Sequence, residues 1–430
     1  MGKNHYSLPF GRGHIRLTLP ERWNHRNLSP SYAPIPDPAS RVREVVEHPI
    51  MAPALRDFLR PNDRILILVT DPTRKVRYDI LLPPLIQIIR ESHPSRVEFL
   101  VATGTHKPPL KRELKEHLGE TIVQNSLIHI HDCQDSSHLK FLGNSEAGTP
   151  IYLNSLLFEF DKILVTGSIA FHYYAGFTGG PKMIMPGVAG YESIQANHKR
   201  VLQPLPGRGK APKADAGILD GNPVYEDIRD IVQKYLATPG AASLFSIYSV
   251  LGASGEMIGL FAGELEKAHR AGCDLVQKTF SIKIDKPFDL VIASAGGYPY
   301  DFTYYQAHKA LEHASRAVRD GGCVLFVASL DGGPGEGILR WMRWTCPESL
   351  EELMRDHYDH TAHIAYCHFL KLQRAQIVLL SRLPAETVGK MHFLPAKNIE
   401  EALAFSIEGF SELPETCIIP NASLTLPIPL

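Results

Sequence analysis

No two of the six cysteines form a C-x-x-C pair. Neither a cysteine-rich zinc site nor a disulfide framework is expected, and scattered thiols fit a cytoplasmic enzyme. No apolar run approaches the roughly 18 residues that a membrane span needs. Met1 to Phe10 has no apolar signal core, and the Met-Gly start meets Tyr6 where a myristoylation motif takes Ser or Thr. An excess of either charge is lacking too. The 45 Lys and Arg against 46 Asp and Glu leave a net charge of −1, which gives no general pull toward nucleic acid or an anionic membrane. There is no internal repeat and no low-complexity tract.

What is present is a long, ordinary globular composition. The 430 residues, 44% hydrophobic and 21% charged, exceed one core and point to more than one domain. The proline-containing stretch Ser29 to Pro38 makes residues 1 to about 60 read as an extended lead-in. Short apolar runs then alternate with helical patterns. Strands are expected over 64–69 (RILILV), 96–103, 126–132, 162–166, 243–251, 289–294, 323–329 and 375–381. Helices are expected over 78–92, kinked or delayed by Pro83 and Pro84, and over 111–124, 222–236, 302–319 and 348–357. A long helical stretch is expected over 256–280, bent near Gly263 and Gly272. This alternation argues for an α/β protein of two domains, each with a mostly parallel sheet flanked by helices. The expected division is 1–280 and 281–404, with the tail 405–430 packing back on the N-terminal domain. The active site is expected in the crevice between the two.

In open parallel sheets ligands bind beyond the carboxyl ends of the strands, and the segments that follow the strands here are polar and glycine-rich. Asp71-Pro72-Thr73-Arg74 can form an anion clamp or an ordinary loop salt bridge. Thr103-Gly104-Thr105-His106 puts a histidine at a strand end, ahead of a loop stiffened by Pro108 and Pro109. The richest segment runs from Gly167 through His172-Tyr173-Tyr174 and Gly179-Gly180-Pro181-Lys182 to Gly190, with Asn197-His198 beyond. Its six glycines can bring backbone N–H groups close to a ligand. It is not a P-loop, because Pro181 precedes Lys182 and Met183 follows it. A lysine beside Phe177, Ile184 and Met185 can instead be a nucleophile or a covalent attachment point. Finally, Gly296-Gly297-Tyr298-Pro299-Tyr300-Asp301 leads into a helix whose Gln306 and Lys309 share a face. That pair can bind a carboxylate or form a solvated helix face.

Taken together, H172-Y-Y-A-G-F-T-G-G-P-K182-M-I-M-P-G-V-A-G with N197-H198, D71-P-T-R74, T-G-T-H106 and G-G-Y-P-Y-D…Y305-Q306-A-H-K309 resemble the nickel-dependent lactate racemase family, in the same order and at similar spacing. The resemblance covers roughly 60 to 400. It implies a racemase or epimerase that inverts C2 of a small 2-hydroxy acid, lactate-like or larger. It also implies a nickel-bearing cofactor, a pyridinium-3-thioamide-5-thiocarboxylic acid mononucleotide joined to Lys182, with His198 as the protein's nickel ligand. By the same resemblance His106 and His172 are the acid/base pair. Asp71, Thr73, Gly179 and Gly180 belong to the cofactor region, and Arg74, Tyr305, Gln306 and Lys309 to the substrate site. Planar N, S, S and C donors suit Ni(II).

The implied reaction is reversible hydride transfer through a 2-keto acid, because the C2 hydrogen beside a charged carboxylate is a poor acid. Expected partners are the hydroxy acid and the proteins that make the cofactor; a homodimer is compatible with the sequence. The aromatic residues Tyr173, Tyr174, Phe177, Tyr298, Tyr300 and Tyr305 either line the pocket or pack beneath loops. Three other readings stay open: a sugar-acid C2 epimerase, a nickel-cofactor carrier without catalysis, and a cofactor-free racemase that works by carbon deprotonation.

Overall fold

The computed structural model describes residues 3–430, which fall into two compact units. One is Tyr32–Lys278; the other, composite unit joins the residues up to Ser31 to Thr279–Leu430.

The Tyr32–Lys278 unit is built on a six-stranded sheet in the order Met257–Gly263, Ser243–Leu251, Lys162–Ser168, Arg64–Thr70, Arg96–Ala102, Leu127–Ile130. All neighbours are parallel except the first pair. Every residue of Arg64–Thr70 after the first is buried, as a strand covered on both faces requires. The helix Tyr78–Glu91 lays Leu81, Leu82, Leu85 and Ile89 into the same core. It starts at Tyr78 and runs on through Pro83 and Pro84, so of the kink or late start expected there the late start does not occur. Two ladder hydrogen bonds are lost there, and burial of the four apolar side chains offsets them. The chain leaves Arg64–Thr70 toward one edge of the sheet and later returns to its other side as Lys162–Ser168. The switch point of the topology therefore lies between these two strands.

The composite unit has a second six-stranded sheet, wholly parallel, in the order Leu394–Ala396, Ala375–Leu380, Val318–Val327, Phe288–Ser294, Thr416–Ile419, His25–Asn27. The tail, expected on the N-terminal domain, is instead part of this unit. Buried Cys417, Ile418 and Ile419 pair with Phe288–Ser294, and Leu426–Pro429 pairs with Ser281–Ile284. The expected lead-in also differs. An antiparallel hairpin, Lys3–Phe10 with Gly13–Pro20, buries Leu8, Leu17 and Leu19 against Leu290 and Leu325 of this unit, and a helix covers Pro38–Glu47.

Three further boundaries differ from the sequence pattern. The helix expected from residue 256 is the strand Met257–Gly263 followed by the helix Leu265–Phe280. Gly263, at φ +135°, bridges Ile50, and a Cβ there would meet the Ile50 carbonyl oxygen at 2.1 Å. The expected helix 111–124 is two helices parted by Gly119 at φ +93°. The expected 302–319 helix ends at Ala314, because Val318 already opens a strand.

Candidate active site

Asp71 and His106 follow two adjacent parallel strands whose last residues, Thr70 and Ala102, are in register. That register brings the two side chains together. Nδ1 of His106 lies 3.2 Å from Oδ2 of Asp71, while Nε of Arg74 is 3.9 Å from the same oxygen. The backbone N–H of Thr73 donates to the other carboxylate oxygen at 2.8 Å, and the Thr73 hydroxyl is 3.4 Å from His106. Asp71 is buried. Burial opposes its charge, but His106, Arg74 and the Thr73 side chain outweigh burial and hold the carboxyl well below the usual range. An ionised carboxylate only accepts hydrogen bonds. Nδ1 of His106 is therefore the donor, and in the neutral ring Nε2 carries the lone pair. The loop pair Asp71–Arg74 thus exists, but Asp71 is more closely engaged by the histidine than by the arginine.

Across the switch point, the segment after Lys162–Ser168 folds as a two-residue antiparallel pair, Phe171–His172 with Gly176–Phe177, then a turn over Gly180–Met183. The ring of Tyr174 is the hub of this segment. His172 meets it edge-on with centroids 4.5 Å apart, His198 at 5.3 Å, and Nζ of Lys182 stands 5.6 Å from its centre. Tyr173 stacks on His172 at 5.3 Å. So the structure gathers the three separated residues His172, Lys182 and His198 around one buried aromatic ring. The N–H of Ala175 donates to Nδ1 of His172 at 3.3 Å, so that nitrogen is the acceptor of the ring. His198, at the end of the helix Tyr191–His198, has Nδ1 3.2 Å from Oδ1 of Asn197.

Backbone close to backbone shapes this region. Gly179 and Gly180 lie at φ +73° and +62°, and a Cβ on Gly180 would sit 2.4 Å from the ring of His269. His269, on the helix Leu265–Phe280, donates from Nε2 to the Thr178 carbonyl at 2.9 Å and is fully buried. It therefore fixes the turn that carries Lys182, and no sequence signal marked it beyond the glycine that needs its space. Burial pulls its pKa from 6.5 down to about 4, with the charges of Arg270 and Lys182 adding to the effect.

The sign of the resulting pH dependence follows. Above pH 6.5 the ring is neutral in both states and costs nothing. Below 6.5 the unfolded chain takes up a proton that the folded chain refuses, so stability falls until about pH 4. At about 1.4 kcal/mol per pH unit the loss reaches about 3 kcal/mol. Denaturant unfolding of wild type and His269→Gln between pH 7 and 4 measures it. The glutamine amide can still donate to Thr178 but does not titrate, so its acid limb should be flatter by this amount. Parallel curves would show that His269 contributes no such term.

Tyr305, Gln306 and Lys309 belong to the composite unit, on the helix Tyr304–Ala314 capped by Thr303. Nζ of Lys309 donates to Oε1 of Gln306 at 3.1 Å, one turn away. Among the other aromatic residues, Phe177 packs on Phe171 with centroids 5.4 Å apart, and the guanidinium of Arg12 lies 4.2 Å over Tyr298. Phe177 is buried in its contact, whereas Tyr298 stays exposed.

An Asp–His pair and a half-buried lysine set in glycine-bounded loops, all at the carboxyl ends of a parallel sheet, define an α/β enzyme equipped for acid/base and covalent chemistry. The chain belongs to the lactate racemase family and is a racemase, an isomerase. The model of the lactate racemase N-terminal domain matches residues 10–208, and that of the C-terminal domain residues 284–424. The lactate racemase of Thermoanaerobacterium thermosaccharolyticum is 31% identical over 413 residues, 92% of each chain. That of Lactiplantibacillus plantarum is 36% identical over 299 residues, 69% of this chain and 67% of its own. The structure of the lactate racemase apoprotein from T. thermosaccharolyticum superposes with a TM-score of 0.86 at 28% identity, over 99% of this chain and 100% of the other. A Thermotoga maritima protein shares the fold at a TM-score of 0.69 and 19% identity, over 93% of this chain and 100% of its own. No helix among the described residues is long and apolar enough to cross a membrane.

Proposed function

We propose that the protein interconverts the two stereoisomers of lactate or a closely related small 2-hydroxy acid, using a nickel-bearing pyridinium nucleotide joined to Lys182. The observation that carries the proposal is the convergence of His172, Lys182 and His198 on Tyr174. The residues present fit such a group. Among the described residues no cluster of three His, Cys, Asp or Glu could hold a metal. A metal taken up through His198 thus needs donors that are not side chains, as a tethered ligand would supply. The positive φ angles of Gly179 and Gly180 bring the lysine turn into place without a Cβ in the way. When bound, the cofactor supplies a hydride acceptor and nickel.

The chain's own groups do the rest. Nε2 of His106, with Nδ1–H held by Asp71, takes the proton from the substrate hydroxyl. His172, the other member of the pair implied by the resemblance, serves the mirror-image substrate. Arg74, one-third exposed beside Asp71, binds the carboxylate. Thr73 holds Asp71 in place. Tyr305, Gln306 and Lys309 keep the substrate-binding role implied by the resemblance.

The test is the intact denatured mass of the protein made alongside cofactor-synthesis proteins, with Lys182→Ala as control. An adduct on wild type that is absent from the variant, nickel in the native wild type, and racemisation that keeps the C2 hydrogen out of exchange with heavy water are expected. Racemisation without an adduct, or deuterium entering C2 from heavy water, would replace the tethered cofactor with carbon deprotonation. Screening both enantiomers of lactate, longer and aromatic hydroxy acids and sugar acids assigns the substrate.

A further inference from the structure

Asn197 precedes the histidine at the centre of the proposal, yet the chemistry above does not use it. It is fully buried, and so is its partner Asp227 on the helix Pro223–Ala237. Nδ2 of Asn197 donates to Oδ2 of Asp227 at 2.9 Å and to the Val224 carbonyl at 3.0 Å. The Asp227 carboxylate is itself held from three other sides. Ser145 donates to it at 2.5 Å, Thr149 at 2.8 Å, and Nε of Arg200 lies 3.1 Å away.

These contacts settle which way the Asn197 amide points. A carboxylate and a carbonyl can only accept, so the face turned to Asp227 and Val224 must be the NH2. The amide oxygen is then the atom turned to Nδ1 of His198, at 3.2 Å. An amide oxygen only accepts, so Nδ1 of His198 carries a proton, and in the neutral ring Nε2 is the lone-pair nitrogen.

We infer that Asn197 and Asp227 are positioning residues that hold His198 in its Nδ1–H tautomer, so that Nε2 presents a ready lone pair to nickel. The order of control runs from Asp227 to the Asn197 amide to the His198 ring. A histidine that ligates a metal is characteristically oriented in this way through its other nitrogen. Three separate stretches of chain (145–149, 197–200 and 224–227) meet to make the device, which is more than packing around a buried asparagine requires. Arg200, two residues past His198, ties the turn that follows the ligand's helix to the same carboxylate. The inference about nickel rests on the proposed function; the inference about the tautomer does not.

The decisive measurement is the imidazole ¹⁵N spectrum of histidine-labelled protein without cofactor, with His198→Ala to assign the signal. The wild-type spectrum needs no altered chain: a protonated Nδ1 is expected on His198, and a protonated Nε2 would overturn the inference. In Asn197→Ala the signal should move toward the Nε2–H form. Cofactor-loaded protein dialysed against a chelator should then hold nickel about 10–100-fold more weakly than wild type, with circular dichroism unchanged. An unmoved tautomer and wild-type nickel retention in Asn197→Ala would also overturn it. Should Asn197→Ala fail to fold, Asp227→Asn reads the same chain of control, since its amide competes with Asn197 as a donor. If His198→Ala leaves nickel retention unchanged, the proposed ligand is wrong while the tautomer result stands. If His198→Ala loses nickel and Asn197→Ala does not, the ligand is right and the positioning role fails.

Discussion

Replacing Asp71 by asparagine is expected to lower kcat by about 10²–10⁴-fold, with the Lys182 adduct still present. The two oxygens of Asp71 do different things. One accepts the Thr73 N–H at 2.8 Å, and the other faces Nδ1 of His106 at 3.2 Å. In Asp71→Asn the amide oxygen stays with the Thr73 N–H, because that donor cannot turn away. The NH2 then faces Nδ1 of His106, which must become an acceptor, and the ring's proton moves to Nε2. The nitrogen meant to take a proton already holds one. The substitution also removes the negative charge that lies 3.9 Å from Arg74, which frees that guanidinium for the substrate carboxylate. KM should therefore rise little or not at all while kcat falls. Initial rates in both directions, with adduct mass and nickel content measured on the same samples, separate this outcome from a loading defect. A kcat close to wild type would remove His106 from the proton transfer.

The second large effect is expected from Gly180→Ala. Alanine at φ +62° costs about 1–3 kcal/mol in backbone strain. Its Cβ would also stand 2.4 Å from Cγ of His269 and 2.6 Å from Cδ2. That ring is buried, hydrogen-bonded to Thr178, and packed between Tyr225 and Tyr248 with centroids 6.3 and 6.0 Å away, so it has nowhere to retreat. Overpacking of this kind costs about 1–3 kcal/mol more. A loss of about 2–6 kcal/mol is expected in denaturant unfolding. The Lys182 turn, displaced from Tyr174, should also lose cofactor attachment. A double-mutant cycle isolates the steric part: Gly180→Ala combined with His269→Ala should be less destabilised than the two single changes added together, by about 1 kcal/mol or more. Strict additivity would show that the turn avoids the ring in solution.

Much of this protein was legible before any coordinates. Buried runs such as Arg64–Thr70 declare a parallel sheet because strands covered on both faces must be apolar throughout. The rule that ligands gather beyond strand ends points to the loops that hold Asp71, His106 and the 167–198 segment, while the roles expected of those residues came from the family resemblance. Local signals failed where a short apolar stretch suits either period. Met257–Gly263 reads as the start of a helix and is an edge strand, because its place is decided by pairing with Ser243–Leu251 and Ile50. The tail was misplaced for the same reason. Thr416–Ile419 fills the slot between Phe288–Ser294 and His25–Asn27, partners more than a hundred residues away that no local pattern names.

The sequence by itself therefore determined the fold class, the chain order of the candidate site residues and the family to which they point, all of which depend on patterns short enough to read along the chain. The tertiary structure decided how those residues act on one another. Asp71 holds His106 because two adjacent strands end in register. Tyr174 gathers His172, Lys182 and His198 because a tight antiparallel turn folds beneath them. Asp227 sets the Asn197 amide because two helices converge. Hydrogen-bond direction and steric exclusion act over a few ångströms in space, whatever the separation along the chain.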